Sequence, residues 1–258
     1  MLVRLGFTGL LLLPWVVTLD FSNQPLEFWL WMIFLIPLEI TAMWLYIKAI
    51  RDYPLSLTVP YLAFTPVLVI LTGWLVLNES ISIYGFSGIF LIVAGSWLLN
   101  FESIEQLTPS KLLAPFKAIL SNPGSRLMLI TAAIYSVTAV GGKAASEWMD
   151  PSELGAFYFV LAGTVVLIAV AIHKPIAIKI ALRHFWPSLI VAALMAAMVV
   201  THFSALSKVE AAYMIAAKRT SLLFGILYGA LLFGEQHLSR HLIAGSLMVL
   251  GVLVIALN

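Results

Sequence analysis

The chain has 258 residues, 62% of them hydrophobic and 10% charged, whereas soluble domains run at about 45–50% apolar and about 25% charged. That composition is the mark of a polytopic membrane protein. Lysine and arginine number 14 against 12 acidic residues, which leaves no basic stripe for nucleic acid and no acidic tail. Without cysteine there is no disulfide, thiolate nucleophile or Cys-bound metal, and the five histidines form no HExxH pair. No GxSxG, Walker loop or GxGxxG is present, so neither a metal site nor a cofactor is expected.

A spanning helix needs about 20 mainly apolar residues. Windows of that size, ended at charge or turn clusters, predict nine spans: 2–18, 28–47, 57–77, 83–100, 127–142, 154–173, 187–206, 211–233 and 239–257. The first is read as a span and not a signal peptide, because no small-x-small cleavage site follows its apolar run. Pro37 lies within the second span, and Pro54, Pro60 and Pro66 run into and through the third. Prolines there kink spans and provide hinges, or are simply tolerated by neighbouring helices. Connections are short except FESIEQLTPSKLLAPFKAILSNPGSR, 101–126, whose prolines, serines and charges mark a linker. Within it SKLLAPFKAIL is weakly amphipathic and suits the membrane surface.

The two sides of that linker repeat each other at an offset of 156 residues. Ala49 matches Ala205, Leu71 Leu227, Gly73 Gly229, Leu75 Leu231, Glu79 Glu235, Leu91 Leu247, Val93 Val249 and Gly95 Gly251. Leucine and valine matches carry little weight in apolar sequence; two glycine pairs and a glutamate pair in one register carry much. The expected organisation is a first repeat over 1–100 with four spans, a linker over 101–126, and a second repeat over 127–258 with five. The counterpart of span 127–142 would fall ahead of residue 1, so the repeat predicts a missing opening helix. A late-called start codon is favoured over a naturally shortened chain, because a lost helix leaves its neighbours' packing faces open.

Five spans per repeat is an odd number, so the halves are expected to insert with opposite orientation. Inverted-topology repeats recur in secondary transporters, where one repeat rocks against the other around a midplane site. Lysine and arginine counted on alternating sides of the spans give ten on one side (Arg4, Lys48, Arg51, Lys111, Lys117, Arg126, Lys174, Lys179, Arg183, Arg240) and two on the other (Lys143, Lys208). The positive-inside rule then puts the N-terminus in the cytoplasm and the C-terminus outside.

The segments PVLVILTGWLVLNESISIYGFSGIFLIVAGSWLL and LLFGILYGALLFGEQHLSRHLIAGSLMVLGVLVIAL each carry a helix ending in Gly-x5-Glu, a turn, and a glycine-containing last helix. They resemble the end of the EamA domain of the drug/metabolite transporter superfamily, and LYIKAIRDYPLSLTVPYLAFTP and THFSALSKVEAAYMIAAKRTS look like the preceding helix pair. The resemblance covers nearly the whole chain as two copies, the first lacking its opening helix. It implies an all-α fold of two inverted EamA-like repeats, and a carrier of small metabolites, many such proteins being exporters of amino acids. It also implies a bacterial inner (plasma) membrane location. The family is usually described with both termini cytoplasmic, whereas the charge count places both ends of a restored ten-helix chain outside.

The candidate site residues are the polar groups inside predicted spans. Lys218 and Arg219 lie about 10–12 Å into the eighth span at 1.5 Å per residue. On the insertion scale they cost up to roughly 7 kcal/mol, against about 3–5 kcal/mol gained from that span's Leu, Ile and Phe. One reading has at least one of them face a wet cavity and bind an anionic group such as a substrate carboxylate. The other has one snorkel and one pair with an internal carboxylate. Glu39 is the carboxylate deep inside a predicted span, either a proton-coupling group or a static partner of Lys218 or Arg219. Lys143, with Tyr135 two turns earlier on a similar face, is a substrate contact or an interfacial anchor. His202 lines a cavity or is a hydrogen-bonded core histidine; Tyr61 and Tyr213 are weaker candidates. Glu79 and Glu235 are assigned to helix ends, and Gly73 and Gly229 to close helix packing.

The expected function is secondary active transport of an anionic or zwitterionic small molecule within the lipid bilayer, driven by an ion gradient or the solute's own gradient. Two alternatives stand beside it. One is an inactive or regulatory protein shortened at its N-terminus. The other is a membrane-embedded enzyme using Glu39 and His202, for which no nucleophile or metal cluster is present.

Overall fold

The computed structural model describes residues 1–53, 59–98, 122–218, 220–221 and 238–256. The described elements are all helical. They are α1 (Leu2–Val16), α2 (Leu26–Asp52), α3 (59–77), α4 (Ile83–Leu98), α5 (Pro123–Ala145), α6 (Pro151–His173), α7 (Pro175–Arg183), α8 (Phe185–Leu206), α9 (Ala211–Lys218) and α10 (Leu238–Ala256). The first turn and a half of α1, Leu2–Phe7, is π-helical, and α3 opens as a 3-10 segment, Val59–Phe64, before Thr65–Leu77 continues as α-helix. Pro60 and Pro66 sit at these two openings, where a missing N–H costs least.

Four helices, α2, α5, α6 and α8, are long and apolar enough to cross a membrane by length and composition. Shorter apolar helices occupy Leu2–Val16, Thr65–Leu77, Ile83–Gly95 and Gly245–Ile255. The predicted span 211–233 is described as helix only over Ala211–Lys218, and the amphipathic segment of the 101–126 linker lies outside the described residues. One element was not foreseen: α7, which separates α6 from α8. Pro175 at its first position ends α6 at His173, since proline supplies no N–H to continue the ladder. Asp150 begins α6 three residues earlier than expected, accepting from the Ser152 and Glu153 N–H groups ahead of Pro151.

The described chain groups into two compact units, each drawing on both sides of the linker: Met1–Trp44 with Thr138–Val209, and Leu45–Val137 with Glu210–Asn258. In the first, α1 packs on α6 and α8, and the Thr8 hydroxyl donates to the Ala192 carbonyl at 3.3 Å. Phe28, fully buried, lies with Trp29 and Phe21 around Phe157, with ring centroids 4.6–6.2 Å apart. That aromatic cluster fixes the connection from α1 to α2 against α6.

In the second unit α4 packs along α10. A Cβ on Gly88 would lie 2.7 Å from the Gly251 carbonyl oxygen, and one on Gly251 would lie 2.6 Å from that of Gly88. Backbone meets backbone at this crossing, the small-residue solution for helices with no water to expel. Elsewhere in the unit the Thr72 hydroxyl reaches the Ser136 carbonyl at 3.4 Å, joining α3 to α5.

Candidate functional site

In the first unit four helices meet around the Gly141–Gly142 pair of α5. A Cβ on Gly141 would lie 2.6 Å from a Leu35 methyl and 3.1 Å from the Trp31 ring, and one on Gly142 would lie 3.2 Å from the Phe203 ring. The two glycines thus let α5 sit between α2 and α8. Tyr158 of α6 completes the junction. It is buried, its hydroxyl donates to the Leu35 carbonyl at 3.1 Å, and its ring lies 6.0 Å from that of Phe203.

Three predicted site residues stand next to this junction. Glu39 is one turn beyond Leu35 on α2, about 6 Å along the axis; Lys143 follows Gly142; His202 precedes Phe203. All three are half-buried. The Lys143 ammonium donates to the Val209 carbonyl, and Ser146 closes the end of α5 by donating to the Lys143 carbonyl at 2.6 Å. A cation in the last helical turn also faces the negative end of the helix dipole, so Lys143 has the contacts of an anchor. The His202 ring stands edge-on to Phe203 at 5.5 Å. The Thr201 hydroxyl returns to the carbonyls of Ala197 and Met198.

Tyr61, Tyr135 and Lys218 belong to the second unit. Tyr61 is 2% exposed and packs with Ala49 and Met128, stacked 6.4 Å from Phe64, with a side-chain hydrogen bond to Ser125. Its surroundings are those of a core tyrosine. Tyr135 is half-buried on α5, and Lys218, at the end of α9, is exposed. Arg219 lies outside the described residues.

The Gly-x5-Glu segment of the first repeat has a physical account in this unit. Asn78 ends α3 in the left-handed region, φ 52°, and the Glu79 N–H turns back to the Gly73 carbonyl at 3.2 Å. The Glu79 carboxylate folds over Gly73, where a Cβ would lie 2.8 Å from Oε2, and accepts the Ala211 N–H at 3.1 and 3.2 Å. Glu79 therefore caps the start of α9, a helix of the other half of the sequence. Gly73, expected to serve close helix packing, instead makes room for this side chain. Beside it, Tyr213 Oη accepts the Ser82 N–H at 3.3 Å, with Gly85 against its ring. Glu235 and Gly229, the repeat counterparts, lie outside the described residues.

Sequence reasoning passed over Tyr158 and Phe203, which hold the first unit's junction; a lone tyrosine in an apolar run gives no signal. Two open clefts of that unit, about 400 Å³ and about 230 Å³, border the N-terminal residues and α6 to α8, and neither is lined by a predicted site residue. Among the described residues no group of His, Asp and Glu could hold a metal ion.

Comparison with known proteins places these observations. The sequence profile of the EamA-like transporter family matches residues 1–101 and 122–257. No curated protein matches the chain. A solved structure, described only as a crystal structure of protein, superposes with a TM-score of 0.72 at 17% identity, covering 99% of this chain and 86% of that one. At that identity the likeness is one of fold.

Proposed function

This chain belongs to the EamA-like transporter family, and from that premise we propose that it is a secondary transporter of a small anionic or zwitterionic metabolite, acting as an exporter. The observation that carries the reading is the family match on both sides of the linker, together with a repeat unit that, at the five spans read in the second copy, would leave the two copies inverted. Nine spans, a first repeat over 1–100 and a second over 127–258 fit this organisation.

Transport proceeds by alternating access, one repeat rocking against the other. Lys218 and Arg219 supply positive charge for the solute's carboxylate. Glu39 carries the coupling proton, and its place one turn from the α2–α5–α6–α8 junction supports that role, because a carboxyl there responds to rearrangement of four helices. His202 and Tyr135 are secondary contacts of the solute, whereas Lys143 anchors the end of α5 and Tyr61 packs in the core, the readings their local bonds favour. The Glu79 cap on α9 joins the first repeat to the second at one edge, so it is a joint the cycle must keep or break.

The test is uptake of a labelled amino-acid and organic-acid panel into proteoliposomes under imposed proton or sodium gradients. Wild type is compared with Lys218→Ala, Arg219→Ala and Glu39→Gln at matched protein levels. One solute should move, and a cation variant should lose it while staying folded. Absence of movement for every solute under every gradient would sink the transporter reading; normal transport by both cation variants would make the pair structural.

A further inference from the structure

We propose that α7 is a recognition surface for the headgroups of anionic phospholipids. The helix joins α6 and α8, both long and apolar enough to cross a membrane, with only Lys174 before it and His184 after it. These two residues leave the helical region, at φ −145°, ψ 57° and φ −104°, ψ 50°. The chain therefore turns at each end of a nine-residue helix, which at about 1.5 Å per residue is far too short to span a bilayer. The helix is confined to the membrane edge from which α6 and α8 run.

One face seats it on the protein. Ala181 is buried, Ala177 and Ile178 are half-buried, and the Ser188 hydroxyl of α8 donates to the Ala181 carbonyl at 3.1 Å, pinning the last turn. At about 100° per residue, Lys179 and Arg183 lie roughly 40° from each other and roughly 160° from Ala181. They form a ridge pointing away from the seat, and Lys174 stands just before the helix, off that ridge; all three are exposed. None of the three makes an ion pair among the described residues, and the sequence has no Asp or Glu from 154 to 209. Along one flank of the ridge, Ile176 and Ile180 are 63% and 56% exposed.

Cations without carboxylates beside bare isoleucines match a bilayer edge on both counts. Headgroup phosphates meet the ridge while the isoleucines enter the acyl boundary. A zwitterionic headgroup carries its own ammonium and competes with the lysines, so an anionic one is selected. Free phosphate would leave Ile176 and Ile180 uncovered. Each basic residue near an anionic surface contributes about a fivefold preference, so three give roughly a hundredfold at low salt, falling toward about tenfold as salt screens them.

The absence of native cysteine allows a single bimane reporter at Leu182→Cys in the full-length chain, a position exposed on the flank of the ridge opposite Ile176 and Ile180. Placed in phosphatidylcholine nanodiscs, the reporter is titrated with acyl-brominated lipid bearing either a phosphatidylglycerol or a phosphatidylcholine headgroup. The anionic probe should quench at about tenfold lower mole fraction or better, and the difference should shrink in high salt. Combined Lys174→Gln, Lys179→Gln and Arg183→Gln should bring the preference below about twofold while phosphatidylcholine quenching persists, which shows the helix still in place. If that variant loses phosphatidylcholine quenching as well, the three single variants, each expected to lose about fivefold, decide. Equal quenching by the two probes, or a preference that survives neutralisation, would overturn the proposal. Displacement of the anionic probe by millimolar inorganic phosphate would also overturn it, reducing the ridge to a simple anion site. None of these readouts depends on transport.

Discussion

Replacing Gly73 by alanine separates two opposing effects whose sizes can be worked from the geometry. Inside a helix, glycine to alanine gains about 0.5–1 kcal/mol. At this position the new Cβ would lie 2.8 Å from Glu79 Oε2 and 3.6 Å from its Cδ, so the carboxylate must swing away and release the Ala211 N–H. Loss of a helix cap costs about 0.5–2 kcal/mol, and taking central values the substitution should destabilise by roughly 0.5 kcal/mol. The sharper quantity is the double-mutant cycle. With Glu79→Ala in place there is no carboxylate to displace, so Gly73→Ala should now stabilise by about 0.5–1 kcal/mol. A change of sign between the two backgrounds, with a coupling of about 1 kcal/mol, is the expected outcome. Reversible SDS-titration unfolding of the four proteins, followed by tryptophan fluorescence, measures it. An effect of Gly73→Ala that is the same in both backgrounds within about 0.3–0.5 kcal/mol would refute the explanation of Gly-x5-Glu.

Gly88→Val and Gly251→Val each drive a side chain into the partner helix's carbonyl, 2.7 and 2.6 Å from the new Cβ; each should cost about 1–3 kcal/mol by overpacking, read in the same unfolding assay. Lys143→Met should leave transport within about twofold of wild type, because its ammonium is spent on the Val209 carbonyl, with any loss expected in unfolding at about the 1 kcal/mol of a single hydrogen bond. Glu39→Gln should abolish stimulation of uptake by a proton gradient while leaving solute exchange at equal pH; uptake still driven by the gradient in this variant would remove Glu39 from the coupling step. Asp150 is held below its ordinary value chiefly by the Ser152 side chain, against an opposing push from burial, with the Ser152 and Glu153 N–H groups lowering it further. Its folded pKa being depressed, the stability it adds is present above the unfolded carboxyl's pKa and is lost as pH falls through the lower folded value. Asp150→Ala should therefore destabilise by about 0.5–2 kcal/mol at neutral pH, with the gap to wild type closing below about pH 4; a gap unchanged at low pH would mean that the carboxylate is not the cap.

The apolar composition, the spans and the 156-residue repeat are one-dimensional facts. A bilayer imposes a minimum apolar length on every crossing helix, and that constraint is written residue by residue along the chain. Gly-x5-Glu was visible for the same reason, as a repeated spacing. Its purpose was not, because the carboxylate acts on Ala211, 132 residues away, and no local pattern records which distant N–H a side chain will meet. The fates of Lys143 and Tyr61 were open in the sequence: each is polar inside or beside an apolar run, and only the folded neighbourhood gives one the Val209 carbonyl and the other a place against Ala49 and Met128. Tyr158 and α7 lay hidden for complementary reasons. Tyr158 takes its position through a hydrogen bond to another helix, and α7 is too short and too mixed in character to register against a twenty-residue window, yet two backbone turns at Lys174 and His184 set it apart as a helix of its own between α6 and α8.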